Sequence, residues 1–389
     1  MERVYMDHAS ATPVRSEVKE AMLPYFDEQF ANPSTVYDLG TQARNAVEEA
    51  REQVAGLIGA AADRLVFTSS GAEANNMAIK GAALANRKKG NRVIVSGIEH
   101  HSVLNAARFL ERLDFEVAFL PVDGNGLVDP QRLEQLLSED TILVSVIHAN
   151  NEIGTMQPIS ELASVCKRHK VLFHSDAVAS VGSVPVDVQE LGVDMLSLSG
   201  VGLEAPKGVG GLYIAKNVRV MPLIHGGIQE RGMRAGTENV PGIVGLGKAA
   251  ELVAGKTGQQ AERIRRMRDR LVQGVTEGLE SVTHTGHPDL RLPGHASFCF
   301  EAVEGESLLF MLAQKGIYAN TGSACASKAL KISPVLAALS LSHEVAQGSA
   351  VFTLNRTNTE EEVDYVLEHL PAAVRSLRAM SPLWNESAS

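Results

Sequence analysis

Residues able to do chemistry are spaced through this chain, and several sit where short apolar runs end. These are Ser69-Ser70-Gly71, Glu99-His100-His101, Asn150-Asn151-Glu152, Asp176 and Ser199. The stretch VDMLSLSGVGLEAPKGVGGLYI, Val193 to Ile214, adds a glycine-laden loop with a lysine, Lys207. Such loops often cradle phosphate, but this one has neither the GxxxxGK[ST] of a P-loop nor a GxGxxG opening a helix. His100 and His101 are adjacent, so they point apart on a helix and make a poor metal pair. Asp176 alone could cap the turn that follows it. Cys325 lies in NTGSACAS, small polar residues after the apolar run SLLFMLAQKG. That composition predicts an exposed, mobile loop, and a mobile thiol is useful when it must visit a sulfur donor and then an acceptor. Cys166 and Cys299 stand in patterned helix and strand, where a buried, inert thiol is expected.

The elements that must position these groups follow a regular beat. From residue 64, the β-rich runs RLVFTS, NRVIVSG, FEVAFLP and TILVSVIHA alternate with helical patterns over Ala74–Arg87, His101–Leu113 and Pro130–Leu137. VLFHSD, DMLSLS and GGLYIA continue the strands. Nearly continuous apolar strands separated by helices predict an α/β fold with a mostly parallel sheet covered on both faces. Sites in such sheets lie beyond the carboxyl ends of the strands, where the polar clusters stand. After about residue 250 strict alternation stops. A charged helix over Gln259–Leu279, the HASFCFEAV and GSAVFTLNR runs and a last helix over Thr359–Met380 predict a smaller α+β domain. The expected division is 15–250 for the large domain, with 1–14 and 251–389 forming the small one.

The length of 389 residues exceeds the ~100–200 typical of one domain. A net charge of −10 argues against nucleic-acid or anionic-membrane partners. Three cysteines far apart, with no CxxC, argue against a disulfide scaffold or a self-contained zinc site and fit a reducing compartment. With no basic-then-apolar leader in MERVYMDHAS and no apolar stretch of ~18 residues, a cytoplasmic location is expected.

Taken together the motifs carry more than any one of them. YMDHASATPV, NPSTVYDLG, VFTSSGAEANNMAIKG, EHHSV, HANNEIGTMQP, HSDAVASVG, GGIQERGMRAGTENV, EGESLL, TGSACAS and FTLNRTNTEEEV follow in order along the whole chain. In this the sequence resembles the cysteine desulfurases, in the class V branch of the fold-type-I pyridoxal-phosphate (PLP) enzymes. The resemblance implies a large domain around a mostly parallel seven-stranded sheet, a small α+β domain, and a homodimer. It implies that His100 stacks on the pyridine ring, Asn151 reaches the ring hydroxyl and the substrate, and Asp176 pairs with the ring nitrogen. Ser70, Gly71, Ser199 and, across the dimer, Thr237 would hold the phosphate end. Arg356 would clamp the substrate carboxylate. Cys325 would attack the substrate sulfur, carry the persulfide and pass it to an iron–sulfur scaffold protein; it is also the one candidate ligand to a shared iron–sulfur cluster. L-Cysteine or a persulfide would be the donor.

The resemblance fails at one decisive place. The family pattern Ser-x-His-Lys-x-x-Gly-Pro-Lys-Gly, whose first lysine forms the Schiff base with PLP, is here Ser199-Gly200-Val201-Gly202-Leu203-Glu204-Ala205-Pro206-Lys207-Gly208. Ser199 and Pro206-Lys207-Gly208 fix the register, so the histidine is Val201 and the lysine is Gly202. The family's phosphate-binding threonine is Ala72, the glutamine of DAxQ is Ala179, and the histidine of NPSSxH is Tyr37. PLP is then held only non-covalently, if it is held at all, and the base that moves the α-proton is missing. A positioned acid–base group typically contributes ~10²–10⁴-fold, so conventional turnover is expected to be lost or very slow. Three functions remain open: sulfur handling for iron–sulfur assembly through Cys325 with an eroded PLP site, an active desulfurase using non-covalent PLP, or a non-catalytic partner of an intact paralogue.

Overall fold

The computed structural model describes residues 3–322 and 332–384. After a short strand β1 (Val4–Tyr5), the chain lays down β2 (Leu65–Thr68), β3 (Arg92–Ser96), β4 (Glu116–Leu120), β5 (Thr141–Ser145), β6 (Leu172–Asp176), β7 (Met195–Ser199) and β8 (Gly210–Ile214). These seven form one sheet in the order β2-β8-β7-β6-β5-β3-β4. Neighbours from β7 through β4 pair in parallel, while β8 runs antiparallel to both β7 and β2. The exception has a simple cause. A parallel return needs a crossover of a dozen or more residues, and the connection 200–209 is too short for one. The glycine-rich stretch is thus a turn between neighbouring strands, and it places Val201–Glu204 at the carboxyl end of β7.

Both faces of the sheet are buried, so the strands read as apolar runs. Along β3, Ile94 packs into one core cluster with Val144, Phe173 and Leu196, while Val93 and Val95 pack into another with Leu143, Met195 and Leu212. This is the two-residue alternation of a pleated strand. Local chemistry sets the helix boundaries. Asp129 caps the helix Pro130–Leu136 by accepting from the Gln131 N–H, and Thr359 with Glu362 forms a capping box ahead of Glu360–Met380.

The later strands are β9 (Val282–His284), β10 (His295–Phe300), β11 (Ile317–Tyr318) and β12 (Ser349–Thr353). β12-β10-β9 is an antiparallel sheet, and β11 pairs in parallel with β1. Their core joins Val4 and Met6 to Met267, Phe298, Phe300, Phe352 and Val363. The clusters on the main sheet draw instead on Val18 through Val253. No helix among the described residues is long and apolar enough to cross a membrane.

Candidate functional site

A cavity of about 360 Å³ opens at the carboxyl ends of the main-sheet strands, within the size range of small-molecule sites. Ser70 follows β2, His100 follows β3, Asn151 follows β5, and Asp176 and Ser199 end β6 and β7; all of these, with Gly71, line it. Arg356 enters from the turn after β12.

One wall is a chain of hydrogen bonds. Asn75 Nδ2 donates to Asp176 Oδ2 at 2.6 Å and to Ser102 Oγ at 2.8 Å. The Ser102 hydroxyl lies 2.7 Å from His100 Nδ1, which also accepts from the Ser102 N–H. With Nδ1 accepting, a neutral His100 carries its proton on Nε2. The Asp176 Oδ1 accepts from the Val178 N–H at 3.0 Å, so this carboxylate does brace the following turn. Burial pushes the Asp176 carboxyl above the usual range, with the Val178 N–H, His100 and the Asn75 amide pulling it back. A group that favours neutrality for want of a cation suits a protonated ring nitrogen, which would supply one. Asn75 is among the residues lining the same cavity, and its Oδ1 is buried without a hydrogen-bond partner. Behind this wall Glu99 is fully buried. Its Oε1 accepts from Ser96 Oγ at 2.5 Å and the Ile147 N–H at 2.6 Å, Oε2 has no partner, and burial pushes the carboxyl up to about 8.

The opposite wall is the turn after β7, and it is chemically different. Val201, Gly202 and Leu203 form a single 3₁₀ turn, and with Ala72, Val178 and Ala179 they present apolar surface. No lysine lines the cavity among the described residues. Lys207 is exposed and is not part of the lining. The glycine is not demanded by the backbone, since Gly202 is outside the left-handed region. A β-carbon there would stand 3.1 Å from the Val178 carbonyl oxygen and 3.3 Å from that of Val181, so a side chain needs only a small shift. The donor set therefore fits the ring of PLP, with the helix start at Ser70-Gly71 suited to an anion, but among the described residues it includes no lysine amine to tether it.

Thr237 is exposed and does not line the cavity of its own chain. Cys325 lies outside the described residues. Cys166 and Cys299 are buried, and burial pushes both thiols up to about 12.

The sequence reasoning missed Glu204, Arg15, Asn75 and Ser102. Glu204, a left-handed residue with φ 58°, accepts from Arg356 Nε at 3.0 Å and Nη2 at 2.7 Å, and from Arg15 Nε at 3.1 Å. It could have been noticed as the lone acid in an otherwise apolar, glycine-rich turn. Asn75 carries no comparable signal, because it sits among other polar residues at the start of a helix.

The comparisons with known proteins agree with this geometry. The class-V aminotransferase family matches residues 4–366. A protein named cysteine desulfurase IscS from Methanosarcina thermophila is 51% identical over 380 residues, covering 98% of this chain and 94% of its own. Cysteine desulfurase IscS 1 from Archaeoglobus fulgidus is 50% identical over 380 residues, covering 98% and 99%. Among solved structures, a NifS-like protein superposes with a TM-score of 0.90 at 36% identity over 96% of this chain and all of its own. SspA in complex with cysteine superposes with a TM-score of 0.81 at 35% identity, covering 91% and 99%.

Proposed function

The chain belongs to the class-V aminotransferase family, among the cysteine desulfurases, and on that premise we propose that it mobilises sulfur for iron–sulfur cluster assembly with a PLP site that has lost its covalent anchor. The observation that carries this reading is the contrast between the two cavity walls. Asp176, Asn75 and His100 are joined by hydrogen bonds through Ser102 on one, while the other presents Val201, Gly202 and Leu203 and, among the described residues, no lysine.

In this reading Asp176 would hold the ring nitrogen, His100 would hold the ring and Asn151 would take the ring hydroxyl. Ser70, Gly71, Ser199 and, across a homodimer, Thr237 would hold the phosphate. When bound, PLP supplies an electron sink for the substrate carbon. Among the described residues no lysine lines the cavity to tether the ring or to shuttle the α-proton. The Cys325 thiolate would take the outer sulfur of a persulfide donor, which leaves as its thiol, or, where bound PLP supplies the electron sink, the sulfur of L-cysteine, which leaves as alanine. It would then pass that sulfur to a scaffold protein, and it is the candidate ligand to a shared cluster. The working location is the cytoplasm.

The intact hydrogen-bond chain from Asp176 to His100 also supports a second reading, a working desulfurase with untethered PLP. Absorbance spectra of the purified protein with and without PLP and L-cysteine separate the two. Sulfur handling without PLP catalysis gives no cysteine-dependent change in the chromophore, and Cys325→Ala abolishes persulfide acceptance. A cysteine-driven spectral change with alanine release favours the second reading. A borohydride-fixed PLP on a peptide containing Lys207 defeats both.

A further inference from the structure

The turn that lost the lysine also carries an acid with an unusual position. Glu204 lies two residues beyond Gly202, is 7% exposed, and lines the cavity. Its carboxylate is met edge-on by Arg356, through Nε to both oxygens at 3.0 and 3.1 Å and through Nη2 at 2.7 Å. This is the fork geometry by which a guanidinium takes a carboxylate. Arg15 donates to the same Oε2 at 3.1 Å, and the Arg15 N–H donates to the Glu204 carbonyl oxygen at 3.2 Å. Asn355 Nδ2 stands 3.5 Å from Oε1. A left-handed backbone at a residue other than glycine is uncommon, and here it aims the carboxylate at two arginines.

We propose that Glu204 is a built-in occupant of the carboxylate subsite: it takes the face of Arg356 that would otherwise receive the carboxylate of a free amino acid. This rests on the assignment of Arg356 as the carboxylate clamp. The physical argument is competition. A carboxylate fixed by the fold acts at an effective concentration of the order of 1 mM or above and loses little freedom on pairing. An incoming amino acid would meet only the remaining edge of Arg356, beside a negative charge already in place, and like charges in a partly buried site repel. Arg15 strengthens the occupant, since a carboxylate held by two guanidinium groups is harder to displace. The loop change therefore does two things together. It removes the tether at Gly202, and it makes the carboxylate of an α-amino acid compete with Glu204 for Arg356.

Calorimetric titration of the full chain with L-serine, a thiol-free amino acid, in the absence of added PLP tests this. Glu204→Gln should bind L-serine at least ~10-fold more tightly than the parent chain, a difference of about 1.4 kcal/mol. Adding Arg356→Gln to that variant should remove the gain. Equal or weaker binding by Glu204→Gln overturns the proposal. If binding weakens and Arg356→Gln in the parent chain also abolishes it, Glu204 orients Arg356 rather than occupying its face, and the clamp assignment stands. If Glu204→Gln gains affinity that Arg356→Gln leaves intact, the clamp assignment fails, and this proposal with it. A readout on the unaltered protein guards against a misfolded variant: the Arg356 Nε–H resonance should be slow to exchange and should stay in place at L-serine concentrations that saturate Glu204→Gln, moving only about 10-fold higher. A shift of that resonance already at the lower concentrations overturns the proposal.

Discussion

Among the described residues two buried carboxylates, Glu230 and Glu204, are held by arginines, and the comparison separates architecture from site chemistry. Glu230 and Glu204 both sit on left-handed backbone, with φ of 47° and 58°. Glu230 accepts from Arg51 Nη1 and Nη2, each at 2.7 Å, and from the Phe67 N–H at 2.8 Å; both side chains of that pair are 3% exposed. Arg51 also donates to the Leu65 carbonyl oxygen and lies over the Phe67 ring, so the pair pins the helix Asp38–Leu57 to β2. Glu204 makes an equally forked contact, but its Arg356 partner is 36% exposed and both face the cavity. The same bonding is a structural fastener where water is excluded and a competitor for ligand where a ligand could enter.

The largest effect should come from the fastener. Arg51→Met leaves Glu230 buried without its cation, and the loss of stability should be ~3–5 kcal/mol in urea denaturation. A loss under 1 kcal/mol would mean that the two pairs do not differ as argued.

A third buried acid, Glu99, has no arginine at all and shows what pairing prevents. Its folded carboxyl titrates at about 8, above the ordinary 4.5, because burial penalises the charge. Between these values the folded chain binds more protons than the unfolded one, so stability falls as pH rises through about 5 to 8. Glu99→Gln should remove this contribution. Its stability relative to the parent chain should climb over that window, by at most ~1.4 kcal/mol per pH unit, and level off above it. Denaturation midpoints at pH 5, 6.5 and 8 check this, and a difference independent of pH would contradict it.

Gly202→Lys should create a borohydride-fixable PLP–lysine linkage absent from the parent chain, mapped by peptide mass spectrometry. Desulfuration should nonetheless stay slow while Glu204 holds Arg356. Adding Glu204→Gln should raise it a further ~10–100-fold, the value of one charge-assisted hydrogen bond of ~1.5–3 kcal/mol. Full activity from Gly202→Lys alone would remove Glu204 from the account. The smallest effect should be on stability at the cavity. Arg356→Gln should cost no more than ~1 kcal/mol, because solvent screens a partly exposed pair.

Much of this was legible before any fold. The apolar runs marked the strands because burial on both faces of a sheet leaves only apolar side chains, and their polar ends marked the cavity wall. Ser199 and Pro206-Lys207-Gly208 mark the ends of the turn, and that residues 200–206 contain no lysine was readable directly. Glu204 was not, since a single acid in a turn reads equally well as a solvated surface residue.

By itself the sequence determined the order of elements, the place of the site beyond the strand ends, and which residue types that site lacks, because periodicity and motif spacing encode local burial and backbone geometry. Tertiary structure alone decided which charges meet. Glu204 reaches Arg356 across 152 residues of chain and Asn75 reaches Asp176 across 101. Such pairings depend on distances and dielectric that exist only once the turn after β7 and the turn after β12 close on the same cavity, and no local pattern carries them.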